Sequence, residues 1–466
     1  MENPSGKSEV EFKQSGSTGP GGAIRNFGTI TLSGTADHQF HEGGPGLINE
    51  SGGIINFNDG GTVTVAENAK FTNNDGGIVN LNSSGTWTIN SSEVISDGTV
   101  NLRSDFTLGG SNVLTFGASG ILELSPVTGN RTLTLNNPGI TTSGTTNFSA
   151  DGSITLDGSG TFTNDGIFNH AYGGNNDNLV IGGSVTFQNN GTFDLKNRGD
   201  VQFLDGSTAE FVNNGTLKKS AAGSDPSFFF SFDKNSGTFT QTANGTVLAE
   251  AGRLRIASEN VSSDAAGTWM ADGGDIELGG TWTGTVTGTT TGSSALRITY
   301  SDNGSIETNF AAGAGGITFD VGGNGVIWNE QTIDTSAGDL INANILNITA
   351  EAGGGSAKVL TGTGSLITAN GAITTITGTT VTGTSGPARL LIADGGTLRG
   401  SGTLETLIDG SVGSAIIADG ALSLGIASEI SFSTAGSIEV GLQTVTLLDS
   451  GLAAIGASTT LNGGTL

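Results

Sequence analysis

Few side chains in this sequence are spaced for chemistry. His38-Gln39-Phe40-His41-Glu42 sets two imidazoles and a carboxylate close together, donor types that zinc accepts. Zinc also needs a third or fourth ligand on a defined scaffold. His170 stands alone, so the 38–42 segment reads as a solvated loop. Cleavage of a polysaccharide would need clustered carboxylates, or calcium with a basic residue. Asp194, Asp200 and Asp205, with Lys196 and Arg198 among them, form the densest group of that kind. Strand alternation turns Asp194 outward between Phe193 and Leu195, the place of a solvated side chain. No catalytic residue, no metal ligand and no cofactor is therefore expected, and no ligand-binding residue is assigned.

Other patterns have a bland and a functional reading. Gly173-Gly174-Asn175-Asn176-Asp177-Asn178-Leu179-Val180-Ile181-Gly182-Gly183 approaches the calcium-binding nonapeptide repeat, but its third Gly is missing, its Asp comes one place early and it occurs once. It reads as a polar loop. Thr62/Thr64 and Thr86/Thr88 resemble the flat Thr arrays of ice-binding solenoids. Gly98-Thr99-Val100-Asn101-Leu102, taken as the following coil, breaks the array, and outward Thr also suits any strand. Trp87, Trp269 and Trp282 each follow Gly-Thr at an inward position and read as core; Trp328 departs from that pattern and is the Trp left to face a ligand. Phe228, Phe229, Phe230 and Phe232 form either an apolar lip or a core strand with its loop.

The elements that must position these residues follow from composition. The 466 residues include 80 Gly, with 13% charged and no Cys. So much Gly disfavours helices and suits many tight turns, and the missing Cys excludes disulfides and thiolate metal sites. Residues 47–70 and 71–94 align without a gap at an offset of 24, with Asn49/Asn73, Gly53/Gly77, Ile54/Ile78 and Thr62/Thr86 among the identities. A fixed period of this size marks a solenoid. Thr62-Val63-Thr64-Val65 and Thr86-Trp87-Thr88-Ile89 alternate polar and apolar residues, the period of a strand with one buried face. The fold class predicted is all-β, a right-handed parallel β-helix (β-solenoid) with about 24 residues per coil. Trp87 then stacks on Val63, Ile89 on Val65, Val79 on Ile55 and Leu81 on Phe57. The turns repeat as apolar-x-Asn-x-Gly-x-apolar, as in Phe162/Asn164/Gly166/Phe168 and Phe187/Asn189/Gly191/Phe193. Asn and Gly tolerate left-handed backbone, and stacked Asn can hydrogen-bond between coils.

Three regions are expected. Residues 1–22 form a polar N-terminal tail. Residues 23–334 form a Phe- and Asn-rich solenoid, with insertions near 220–236 and 279–294. Residues 335–466 continue it with Ile, Leu and Ala in the core. Ala369-Asn370-Gly371, Ala393-Asp394-Gly395 and Ala418-Asp419-Gly420 look like the same corner recurring. The C-terminal segment reads as part of a further repeat, which implies more coils or end-to-end association with other copies. No apolar stretch is long enough to span a bilayer, and the formal charge of -26 repels nucleic acid and anionic lipid, so neither is an expected partner.

Gly395-Gly396-Thr397-Leu398-Arg399-Gly400-Ser401-Gly402-Thr403-Leu404, followed by Ile417-Ala418-Asp419-Gly420-Ala421-Leu422, resembles the β-strand repeats of autotransporter passenger domains and haemagglutinin-like secreted adhesins. The resemblance implies an extracellular or surface-displayed bacterial stalk, structural or adhesive and without catalysis. Its implied partners are a host or neighbouring-cell surface, a glycan or a matrix polymer. A carbohydrate-active β-helix enzyme and an ice-binding Thr array are the alternatives.

Overall fold

A computed structural model describes residues 9–12 and 24–460, except 34–36, 41–45, 59, 92–93, 125–128, 137, 150–151, 172–177, 197–199, 222–231, 234–236, 299, 303–305, 330, 351–357, 384–387, 427–431, 449–453 and 456–458. Among the described residues there are strands and turns and no helix. The chain divides into two compact units, Met1–Phe239 and Thr240–Leu466. The change of core residues near Asp334 falls inside the second.

Each coil of the first unit carries three short strands. Thr62–Val65, Gly85–Ile89 and Phe106–Gly110 follow one another on a first face, Leu47–Asn49, Phe71–Asn73 and Val94–Ser96 on a second, and Ile54–Phe57, Ile78–Leu81 and Thr99–Leu102 on a third. Each of these strands pairs in parallel with its counterpart one coil on: Trp87 lies on Val63 and Ile89 on Val65, Val79 on Ile55 and Leu81 on Phe57. This is the parallel β-solenoid of roughly 24 residues per coil that the repeat requires. Alternation decides what enters the core, since Val63, Val65, Trp87 and Ile89 are buried while the Thr between them are half-exposed.

Stacking like on like builds ladders inside the coil. Phe187 lies flat between Phe162 and Phe211, with centroids 5.0 Å away on each side, and Phe168 lies on Phe193 at 4.6 Å. The two piles meet edge to face, as between Phe168 and Phe187 at 79°, which suits the ring quadrupole. Beside them runs a buried carboxamide ladder. Asn26 donates to Asn49 at 2.7 Å, Asn49 to Asn73 at 2.8 Å and Asn73 to Ser96 at 3.0 Å; Asn164 donates to Asn189 and Asn189 to Asn213, both at 2.7 Å. Each Asn Nδ2 from 49 to 189 in these ladders also meets a backbone carbonyl, so these donors, costly if buried alone, are paired.

The glycines of the Asn-x-Gly turns have another cause than the one expected. Gly166, Gly191 and Gly215 do not adopt positive φ. They stand one above another with Gly144, and a Cβ on any of them would overlap the carbonyl oxygen of the glycine one coil before. That same carbonyl accepts the ladder bond: Thr192 N donates to Gly166 O and Thr216 N to Gly191 O, both at 2.8 Å. Strand spacing, not backbone handedness, requires glycine here. Gly191→Ala is expected to cost roughly 3 kcal/mol. Gly206→Ala, at φ 76° with open space around it, is expected to cost about 1–2 kcal/mol through backbone strain alone. Urea midpoints of the two variants check the ranking.

In the second unit several strands run on through corners, as in Gly252–Ala265, Gly274–Thr291, Phe310–Gly322 and Ile373–Gly383. The Thr- and Gly-rich run expected as an insertion is mostly wall: Thr285–Thr289 pairs with Thr318–Gly322. Trp328 is core as well, fully buried with its Nε1 donating to Gln331 O at 3.3 Å. Its strand parity, inward like Val326, outweighs the missing Gly-Thr. The corner motif also resolves differently. Gly371 N donates to Gly395 O and Gly395 N to Gly413 O, so the coil after Ala393 brings Ser411-Val412-Gly413, and Ala418 instead pairs with Gly400. A shorter coil, with Arg389 paired to Leu407, separates the two look-alike motifs.

Candidate binding faces

The sequence candidates scatter over the first unit. His38 is not in a solvated loop but points inward from the strand Asp37–Phe40, buried on Val63 and edge-on to Phe57 at 6.5 Å. His41 and Glu42 lie outside the described residues, as do Arg198, residues 173–177 of the calcium-like loop and Phe228 to Phe230. The end of that loop is an ordinary wall strand, Leu179–Ile181, with both terminal side chains buried. Asp194 points outward as expected but is 7% exposed, not solvated. Its carboxylate accepts from Ser220 Oγ at 2.6 Å and lies 3.9 Å from both Lys196 and Lys218. Asp200 precedes the first-face strand Val201–Phe203, where it accepts from Gln202 at 3.4 Å, and Asp205 is exposed in the turn after it. Neither aspartate shares the face of Asp194. No group of three His, Cys, Asp or Glu close enough to hold a metal occurs among the described residues.

What the fold does bring together is columns of uncharged side chains. On the first face Thr62, Thr86, Thr107 and Thr134 are successive partners, preceded by Asp37, whose carboxylate accepts from Thr62 N at 3.3 Å. The Thr array is therefore not broken by Gly98–Leu102, because Thr99–Leu102 pairs with Ile78–Leu81 on the third face. The neighbouring column ends sooner, as Thr64 and Thr88 are followed by Gly109. Outside the third face runs a second carboxamide ladder. Asn101 donates to Asn80 and Asn80 to Asn56, both at 2.8 Å, while Asn169 donates to Asn147 at 2.9 Å and Asn147 to Glu123 at 2.7 Å. This column closes on Asp194 paired with Lys218.

Ionisable groups hidden by the fold escaped the sequence reading. Phe148, His170, Leu195 and Lys219 occupy one inward column. His170 is fully buried, neither ring nitrogen meets a hydrogen-bond partner from another of the described residues, and the ring lies 4.7 Å from that of Phe148. Burial lowers its pKa to about 3, against the pull of its own backbone and with a small further contribution from the Lys219 ammonium. Lys219 is 1% exposed, and its Nζ donates to the carbonyls of Ala221 at 2.6 Å and Leu195 at 3.4 Å. Burial pushes its pKa down, against the pull of Asp194. Strand parity held the signal for both, since His170 follows inward Phe168 by two and Lys219 follows inward Leu217 by two.

In the second unit Arg255 and Glu277 point outward yet are 4% and 3% exposed as side chains, paired at 3.2 Å. Arg253 stands 3.5 Å from the same carboxylate, and Arg297 lies 3.3 Å from Asp275. Burial raises the Glu277 pKa and the arginines oppose it. Beside its strand lies an antiparallel hairpin, Tyr300–Asp302 with Ile306–Thr308. Alternation says only that Arg255 and Glu277 face outward, so no sequence signal announced their burial.

These features define the chain as a repeat protein of the parallel β-solenoid class. No protein-family model matches it, and no curated protein sequence matches it significantly.

Proposed function

We propose that the chain is a structural or adhesive β-solenoid of a bacterial surface or secreted repeat protein, working outside the cell and without catalysis. The observation that supports this reading is the make-up of the outward columns: Thr on the first face and Asn on the third repeat coil after coil. A surface repeated at strand spacing suits many weak contacts with an extended partner, such as a glycan, a matrix polymer or another cell's surface, because contacts in series multiply. The phrase similar to autotransporter passenger and haemagglutinin-like repeats, Gly395 to Leu404, supports the same reading. Purified protein is expected to bind immobilised cell-surface material and to release no product from pectin or alginate. Depolymerisation of either polymer would replace this reading with that of a lyase or glycosidase.

A second reading rests on the four-coil Thr column. A flat array of hydroxyl and methyl groups is also an ice-binding surface. Thermal hysteresis abolished by Thr86→Lys would favour it over adhesion.

A further inference from the structure

The corner between the first and second faces shortens step by step. Val65, Ile89 and Gly110 hold one register position, and Phe71, Val94 and Leu114 hold another. The chain needs residues 66–70 to cross in one coil, 90–93 in the next and 111–113 in the third. The corner loses one residue per coil, and a recess of about 550 Å³ lies beside it, lined among the described residues by Ala66, Glu67, Asn68, Asn90, Ser111 and Asn112. This volume lies within the range of small-ligand sites, roughly 300–1,000 Å³.

The recess is built from fixed groups. Ala69 N donates to Ala66 O at 3.0 Å, closing the turn in which Asn68 takes the left-handed conformation at φ 62°. Asn90 N donates to Val65 O at 2.9 Å, and Asn112 Nδ2 donates to Asn90 O at 2.6 Å. Two polar side chains are left over: the half-buried Asn90 carboxamide and the exposed Glu67 carboxylate make no hydrogen bond within the described residues. On the outer face of the third strand, by contrast, successive Asn side chains are tied to one another.

We infer that this recess is a binding site for a neutral sugar. The inference rests on the adhesive reading and gives it a ligand class. A carboxamide offers a donor and an acceptor side by side, which matches the donor and acceptor of adjacent hydroxyls. A free carboxylate accepts hydrogen bonds from two more hydroxyls. Among the described residues no Lys or Arg lines the recess, so a uronate or sialate would meet Glu67 with no counter-charge from them, on a chain of net charge -26.

The test uses the full chain on an array of oligosaccharides of glucose, galactose, mannose and N-acetylglucosamine, with oligogalacturonate and sialylated glycans beside them. Titration calorimetry then follows with the best neutral trisaccharide. The expected result is binding of at least one neutral series and of no acidic one, weakened at least tenfold by Asn90→Ala and by Glu67→Ala and unchanged by Asn58→Ala on another corner. Glu67 is exposed and unpaired, so its variant keeps the fold, which the melting temperature verifies. Neutral sugar binding that both variants leave intact overturns the site, as does equal binding of acidic sugars. A chain that adheres to cell-surface material but binds no neutral sugar also overturns it, and leaves the adhesive reading standing.

Discussion

Trp87→Asp is expected to cost the first unit on the order of 5 kcal/mol, and Thr86→Asp, one residue earlier on the same strand, less than about 1 kcal/mol. Trp87 is 3% exposed and meets three rings edge-on, Phe57 at 5.3 Å, Phe71 at 5.4 Å and Phe106 at 5.8 Å. Its replacement by a carboxylate removes those contacts and leaves a charge with no partner among aromatic side chains. Thr86 points the other way, between Thr62 and Thr107 in the outward column, where an added carboxylate remains in water. Urea unfolding of both variants measures the difference. Equal costs would mean that inward and outward positions on this strand are assigned wrongly, and with them the register of the whole face.

Acid should destabilise the first unit, and His170→Phe should relieve much of that loss. The folded imidazole, with its pKa near 3, stays neutral where the unfolded one, near 6.5, takes up a proton. Between these values the unfolded chain binds more protons than the folded chain, so stability rises with pH across the window and is lost as pH falls from 6.5 toward 3. Each tenfold difference in proton affinity between the folded and unfolded imidazole is worth about 1.4 kcal/mol, so the loss amounts to a few kcal/mol. Phe is the natural replacement, because Phe148 holds the same place one coil earlier. Melting temperatures of the two proteins should be close at pH 7 and diverge below pH 6.5, with the Phe variant higher. Parallel decline of both curves would show that other groups, not this imidazole, set the acid limit.

By itself the sequence determined the repeat, and the repeat determined the fold. The gapless 24-residue offset of 47–70 and 71–94 prescribes a stack, because identical residues one coil apart can meet only in a parallel ladder. The two-residue alternation in Thr62–Val65 then says which side chains are inside. Both rules act between neighbours in sequence or at one fixed offset, so they are legible without coordinates. Tertiary structure decided whatever depends on a change in coil length. Three residues are lost between Thr86 and Thr107 relative to the preceding coil, and this loss put Thr107, where an unbroken period would put Gly110, on the Thr face; Thr99, thirteen residues after Thr86, pairs with Ile78 on the third face. The eighteen-residue step from Arg389 to Leu407 likewise separated Ala418 from the corner it imitates. It also decided which outward groups are buried, since Asp194, Arg255 and Glu277 point away from the core by parity and yet are buried with Ser220 or with each other as partners. Alternation fixes the direction of a side chain. What it meets there depends on the lengths of the corners between strands, and those lengths change along the chain.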